Sequence, residues 1–235
     1  MDMAVSHLAD VKAMAERYPA PALEKGLDIL ELLAEVRAPM TLSRMAQHFG
    51  RSLTEIYRMI QVLEHRGYLF EPSRRDGYAL TGKLFSLALN TPLAQALVGT
   101  ALPAMEALSL RTGHACYLAI ASGDQSVVVA RAEAPACGFN LQVGFRADFT
   151  ETAAGQVLAG APGPIRRDRA WINGLTELAC PVYAGAQGVV ALSLVHAAGA
   201  QAMPLDDVLA ALRVTAADLS AELAAEMPTL RSRPS

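Results

Sequence analysis

Cysteine is scarce in this 235-residue chain, and its three copies, Cys116, Cys137 and Cys180, stand far apart. They form no Cys-x-x-Cys pair and no even-numbered framework. That excludes a disulfide scaffold and makes a reducing cytoplasm the expected compartment. Long apolar runs are missing too: nothing approaches the roughly 18 consecutive apolar residues of a membrane span. The opening MDMAVSHLADVKAMAERYPA is charged throughout and lacks the basic-then-apolar layout of a signal peptide. The five histidines (His7, His48, His65, His114 and His196) fall at no metal-ligand spacing. No GxSxG, HExxH, GxGxxG or Walker loop occurs, so the residues offer no catalytic site, cofactor or metal.

What is present is an apolar chain with uneven charge. Hydrophobic residues make up 52%, enough for a real core, and the length suits two domains better than one. The net charge is −3, which by itself says nothing for nucleic acid. Between Thr41 and Lys83, however, seven Lys or Arg face four acids, a local balance of +3. Residues 91–235 carry nine bases against twelve acids, or −3. A basic segment on an acidic protein hints at DNA contact.

That segment reads as three short helices. Pro21 opens the first, where Leu23, Leu27, Leu30 and Leu33 or Ala34 recur at helical spacing. Pro39 closes it. Thr41 caps a second helix that buries Leu42, Met45 and Phe49 and ends at Gly50. The third begins with the capping box Ser52-Leu53-Thr54-Glu55 and stops at Gly67. Two strand candidates follow, Tyr68–Phe70 and Tyr78–Leu80, with Arg74 and Arg75 beside the Asp76-Gly77 turn. A helix-turn-helix followed by a basic hairpin is a winged helix. On the third helix Ile56, Met59, Ile60 and Leu63 share the inner side. Thr54, Arg58, Gln61 and His65 lie opposite, flanked by Arg51 and Tyr57. Such a stripe suits the major groove, where Arg and Gln read base edges. Any amphipathic helix has a polar outside, and winged helices also dock proteins, so the stripe carries weight only with the cap, the turn and the wing.

These motifs resemble the IclR family of transcription regulators. PALEKGLDILELLAE is similar to its first helix, and TLSRMAQHFGRSLTEIYRMIQVLEHRGYL to its helix-turn-helix. GYALTGKLFSLA resembles the last wing strand and the start of a linker helix. LAIASGDQSVVVAR, VGFRADFTETAAGQVLAG and LACPVYAGAQGVVALSLV resemble successive parts of its second domain. The resemblance implies an α+β chain organised as an extension (1–20), a winged-helix domain (21–82), a linker helix (83–92), a GAF-like antiparallel effector domain (93–228) and a tail (229–235). It implies double-stranded operator DNA as partner, contacted by Arg44, Arg51, Ser52, Thr54, Tyr57, Arg58, Gln61, Arg74 and Arg75. It also implies a homodimer or dimer of dimers that responds to a small organic acid. Leu53 and Glu55 stand where the family usually has polar DNA contacts.

In the second half, Leu93–Arg111 reads as a helix. Strands are expected at 114–122, 126–131, 139–143, 178–183 and 189–196, with helices at 152–159 and 205–225. The short helix beginning Thr152-Ala153-Ala154-Gly155 offers small residues and free amides that attract a carboxylate. The same residues are equally suited to close helix–sheet packing. By resemblance the effector pocket also takes Leu175, Glu177 and Ser193, with Leu141 and Phe145 as apolar walls. Family members carry a longer stretch, with a further helix, where this chain has only APGPIRRDRAWINGLTE. The pocket is therefore expected to be open, reduced or lost around 162–177. The alternative is a second domain that only oligomerises. His114 and His196 are read as structural and Cys180 as a packed thiol.

Overall fold

The structure, a computed structural model, describes residues 20–73, 75–134, 140–168, 175–185, 188–197 and 203–226. The chain divides into two compact units, residues 1–90 and 91–235.

The first unit is built from capped helices and a hairpin. Helix α1 (Pro21–Val36) has its proline in the first turn, where the missing N–H is not needed. Helix α2 (Leu42–Phe49) starts where Thr41 Oγ1 accepts the Arg44 amide at 3.4 Å and ends on Gly50 at φ 60°. Helix α3 (Leu53–His65) starts where Ser52 Oγ accepts the Glu55 amide at 3.3 Å. Strands β1 (Leu69–Ser73) and β2 (Gly77–Leu80) pair antiparallel. Met40 and Tyr78 exchange backbone hydrogen bonds of 3.0 and 2.9 Å, which ties the wing to the corner between α1 and α2. Ile29, Leu32, Leu33, Met45, Ile56, Ile60 and Leu69 fill the core. On α1 the buried face is therefore Ile29, Leu32 and Leu33, whereas Leu23 and Leu27 of the expected stripe are 63% and 48% exposed. The helix has two adjacent apolar faces, and the unit's own core covers one. Helix α4 (Lys83–Leu89) follows with no buried residue.

In the second unit a six-stranded antiparallel sheet runs in the order β5-β4-β3-β8-β7-β6. Its strands are β3 (Cys116–Ser122), β4 (Gln125–Ala132), β5 (Arg146–Asp148), β6 (Ile165–Asp168), β7 (Leu175–Tyr183) and β8 (Val189–Ala197). Side chains alternate between the two faces. Cys116, Leu118, Leu178, Cys180, Leu192 and Leu194 meet helices α5 (Pro92–Thr112) and α7 (Leu205–Glu226). Ala119, Ala179 and Ala191 meet the short helix α6 (Ala153–Leu158). Helix α5 has the length and apolar composition to cross a bilayer. In the fold its second half packs on β3, β4 and α7, and the helix buries Ala96, Ala101, Met105, Leu108, Ser109 and Thr112. A π-type turn spans Leu97–Ala101, with the Leu102 amide bonded to the Leu97 carbonyl.

Two expected elements differ. The strand read at 139–143 is absent from its described part. Residues 140–142 are irregular and the Leu141 amide donates to the Tyr117 hydroxyl at 3.1 Å. After the turn at Gly144 (φ 85°) the chain enters the sheet later, as β5. The segment read as a plain connection after α6 supplies β6, which pairs with β7 from Ile165↔Ala179 to Asp168↔Thr176. An edge strand with three charged residues in four shows no apolar alternation, so the pattern hid it. Residues 169–174 lie outside the described residues.

Gly77 marks the tightest joint of the first unit. At φ +87° a Cβ there would stand 2.3 Å from the Met40 oxygen and 2.5 Å from the Thr41 nitrogen. Both atoms belong to the backbone of the Met40–Thr41 peptide, so nothing flexible is there to yield. Gly77→Ala should lower stability by at least about 2–3 kcal/mol in denaturant unfolding. A midpoint equal to wild type would show that β2 does not pack on Met40.

Candidate nucleic-acid interface and ligand face

Helix α3 turns Ile56 and Ile60 inward, both at most 1% exposed, with Met59 and Leu63 packed beside them. Thr54, Tyr57, Arg58, Gln61 and His65 are exposed on the other side, and Arg51 is exposed just before the helix. Ser52 is committed as acceptor to the Glu55 amide, which leaves its hydroxyl hydrogen available. Gln61 Nε2 donates to Glu64 Oε2 at 3.3 Å. Arg44 is exposed on α2 and Arg75 in the wing turn, while Arg74 lies outside the described residues. That turn is tied by Ser73, whose hydroxyl donates to Asp76 Oδ2 at 2.5 Å and accepts the Asp76 amide at 3.2 Å.

One contact escaped the sequence reading. The Lys25 ammonium of α1 donates to Glu55 Oε1, and Arg51 Nη1 lies 3.5 Å from the same oxygen. The Lys25 hydrogen bond holds the Glu55 carboxyl below the usual carboxylate range. The partners are thirty residues apart, and no local pattern pairs them.

The residues offered to a ligand fall into two groups, one at the start of α6 with Glu177 and one around Tyr117, and the amides of the first are taken. Glu177 of β7 is 2% exposed. Its carboxylate accepts the Ala153 amide at 2.8 Å and the Ala154 amide at 3.2 Å. Thr152 Oγ1 accepts the Gly155 amide at 2.7 Å. The first turn of α6 is thus satisfied within the chain. Gly155 serves packing: a Cβ there would stand 2.6 Å from both Cα and O of Phe149. Ser193 is buried on β8, opposite Tyr117 on one side and Ala179 on the other. Leu141, Phe145 and Leu175 pack together against Ala115, Tyr117, Val128 and Val195. Tyr117, a buried aromatic in an otherwise small and aliphatic strand, was not singled out by the sequence, yet it anchors the Leu141 segment.

The remaining titratable groups are structural. Burial pushes the Cys180 thiol up to about 11 and the Cys116 thiol up to about 12, so neither supplies a thiolate. Cys137 lies outside the described residues. His114 stacks edge-on against His196 with ring centroids 4.7 Å apart, and burial followed by the His196 ring holds its pKa down. His196 Nε2 lies 3.3 Å from the Met203 carbonyl. No group of three metal-ligating side chains occurs among the described residues.

Residues 22–71 match the IclR helix-turn-helix domain. The chain is 23% identical over 124 residues to the DNA-binding transcriptional repressor YiaJ of Escherichia coli. That match covers 51% of this chain and 44% of the repressor, so less than half of the relative's length is spanned. Among solved structures, an IclR homolog from Microbacterium hydrocarbonoxydans complexed with 4-hydroxybenzoate superposes with a TM-score of 0.72 at 20% identity. That superposition covers 87% of this chain and 99% of the other. An IclR transcriptional regulator from Alicyclobacillus acidocaldarius gives 0.67 at 19% identity, covering 88% and 100%.

The Glu177 clamp predicts a pH dependence. Burial raises its carboxyl above the ordinary value of 4.5, against the opposing pull of the two amides and Arg167. A carboxyl raised in the folded state favours folding most below its unfolded value and loses that contribution as pH rises through the folded one. Glu177→Gln removes this titration and sets an NH2 against one amide, which should cost about 1–3 kcal/mol at neutral pH. Lowering the pH from 7 toward 4.5 should therefore stabilise wild type relative to the variant. Thermal unfolding of both across that range is the measurement. A constant difference would mean that Glu177 is not raised.

Proposed function

We propose that this protein, whose residues 22–71 match the IclR helix-turn-helix domain and whose fold is like that of IclR structures, is a DNA-binding transcription regulator working in the cytoplasm. The observation that carries the reading is the exposed face of α3, where Thr54, Tyr57, Arg58 and Gln61, with Arg51 just before the helix, stand out from an element capped by Ser52 and backed by Ile56 and Ile60. Such a face can enter the major groove while Arg44, Arg75 and Arg74 meet phosphates or the minor groove.

The regulator acts as a homodimer or a dimer of dimers. A single winged helix offers a small interface, and paired modules gain affinity on half-sites about 34 Å apart. Leu23 and Leu27 of α1, with Phe85 and Leu87 of α4, are exposed apolar residues of the same unit and supply the contact surface. Arg58→Ala should weaken binding to the DNA upstream of the protein's own gene by about 1–3 kcal/mol and relax one base position. Light scattering on the same preparation should read at least a dimer. Unchanged affinity on every duplex tested would remove α3 from the groove.

Two readings compete for the second domain. A small-acid effector is supported by the likeness to the 4-hydroxybenzoate complex. A domain that only oligomerises is supported by Glu177, which fills the amides a ligand carboxylate would need. The second observation belongs to this chain and weighs more. An acid arriving near Leu141, Phe145, Leu175 and Ser193 would have to displace the resident carboxylate or bind beside a like charge. Calorimetry with 4-hydroxybenzoate should therefore give no better than about −5 kcal/mol, in the high-micromolar range or weaker. Sub-micromolar binding would establish the effector reading and place its anchor elsewhere.

A further inference from the structure

The first turn of α3 carries an acid in an otherwise cationic neighbourhood. A cleft of about 610 Å³ opens between the start of α1 and α3, lined among others by Lys25, Ser52, Thr54, Glu55 and Arg58. Arg51 adjoins it through its contact with Glu55. Three cations thus line or adjoin a cleft that holds one carboxylate, and that carboxylate pairs with two of them, Lys25 and Arg51. The Lys25 and Arg51 side chains are 19% and 43% exposed, so both remain within reach of an approaching polyanion.

We propose that Glu55 is a specificity-determining residue of this protein, a carboxylate that ties up Lys25 and Arg51 and so suppresses sequence-independent attraction to DNA. The inference rests on the reading of α3 as the DNA-binding helix. Non-specific affinity comes from cations that neutralise phosphates and release counterions, and it falls steeply with salt. A cation already paired with an internal carboxylate releases fewer counterions on binding, and the carboxylate itself repels nearby phosphates. Base contacts from Arg58, Thr54 and Gln61 are untouched by this pairing. Discrimination is a difference of affinities, and lowering the affinity for wrong sequences raises it as surely as improving the right contacts. Helix formation does not explain the pairing: a glutamine at this position completes a capping box as well as a glutamate does, without a negative charge to hold either cation.

Glu55→Gln is therefore the variant of choice, because it keeps the cap and removes the charge. Binding to a random-sequence duplex library, followed across a salt titration, reads the non-specific term directly. Relative to wild type, the variant should bind the library more tightly by up to about tenfold per released cation at 0.1 M salt, with a log–log salt slope steeper by about one to two. Sequence enrichment from the same library should fall. Adding Lys25→Ala to the variant should return part of the slope. An unchanged slope and affinity in a folded variant overturns the proposal. So does weakened binding with loss of preference at one base pair, which would make Glu55 a direct reader of cytosine. Wild-type protein that binds no duplex at all overturns the regulator reading as well, and so distinguishes the two failures.

Discussion

Helix α6 can lie against the sheet only because its first amides find acceptors inside the protein. Burial removes water as a partner, and an unpaired buried amide is costly. Glu177 supplies two of the missing acceptors from a neighbouring strand and Thr152 supplies the third. Much of the surrounding geometry follows. Thr152 lies 3.4 Å from the Ser126 hydroxyl, which donates to the Ala147 carbonyl and so holds β5 on β4. Arg167, opposite Glu177 in the β6–β7 ladder, reaches over to the Thr150 carbonyl at 2.6 Å. The buried carboxylate joins β7 to the helix, and Arg167 beside it joins the edge strand to the loop before the helix. The alanines of α6 and of the sheet then close the gap without side-chain bulk.

The same physical need is met differently in the first unit. Helix α3 receives its cap from Ser52, its own preceding residue, and its acid at position 55 is left to engage cations from α1 and from the turn. In α6 the acid comes from a strand twenty-four residues away and its charge is turned inward. An acid near a helix start is thus a buried partner of backbone amides in one domain and a half-buried partner of two cations in the other. Solvent exposure makes the difference.

That contrast also explains what could be read from residues alone. The winged helix is written in local signals: Thr41 and Ser52 as caps, Gly50 and Gly67 as stops, Asp76-Gly77 as the turn. Each acts within a few residues of itself, so the elements and the outward face of α3 were legible. The inner face of α1 was not, because Leu23 and Leu27 form a second apolar stripe that only the packing of Ile29, Leu32 and Leu33 demotes. In the second unit the strands of the core announced themselves by apolar alternation. The ligand face did not, because its geometry depends on pairs distant in sequence: Glu177 with Ala153, and Tyr117 with Leu141. A pattern that places small residues and free amides at 152–155 cannot reveal that the amides are already occupied.

The π-type turn in α5 has a consequence for chain length. A π-turn contains one residue more than an α-turn, and it arises most simply as a single insertion that the helix absorbs without losing its course. The buried positions carry that signature. Ala101, Met105, Leu108, Ser109 and Thr112 share one α-helical face at steps of three and four residues, whereas Ala96 precedes Ala101 by five. The two halves of the helix are therefore out of phase by one residue, and the widened turn is where the phase is reset. Losing one residue between 97 and 101 would restore an unbroken α-helix and leave both halves facing the core. Losing one anywhere between 102 and 112 would swing the buried side of that half by about 100° away from its core. Tolerance to changes of length along this helix is thus confined to a single turn.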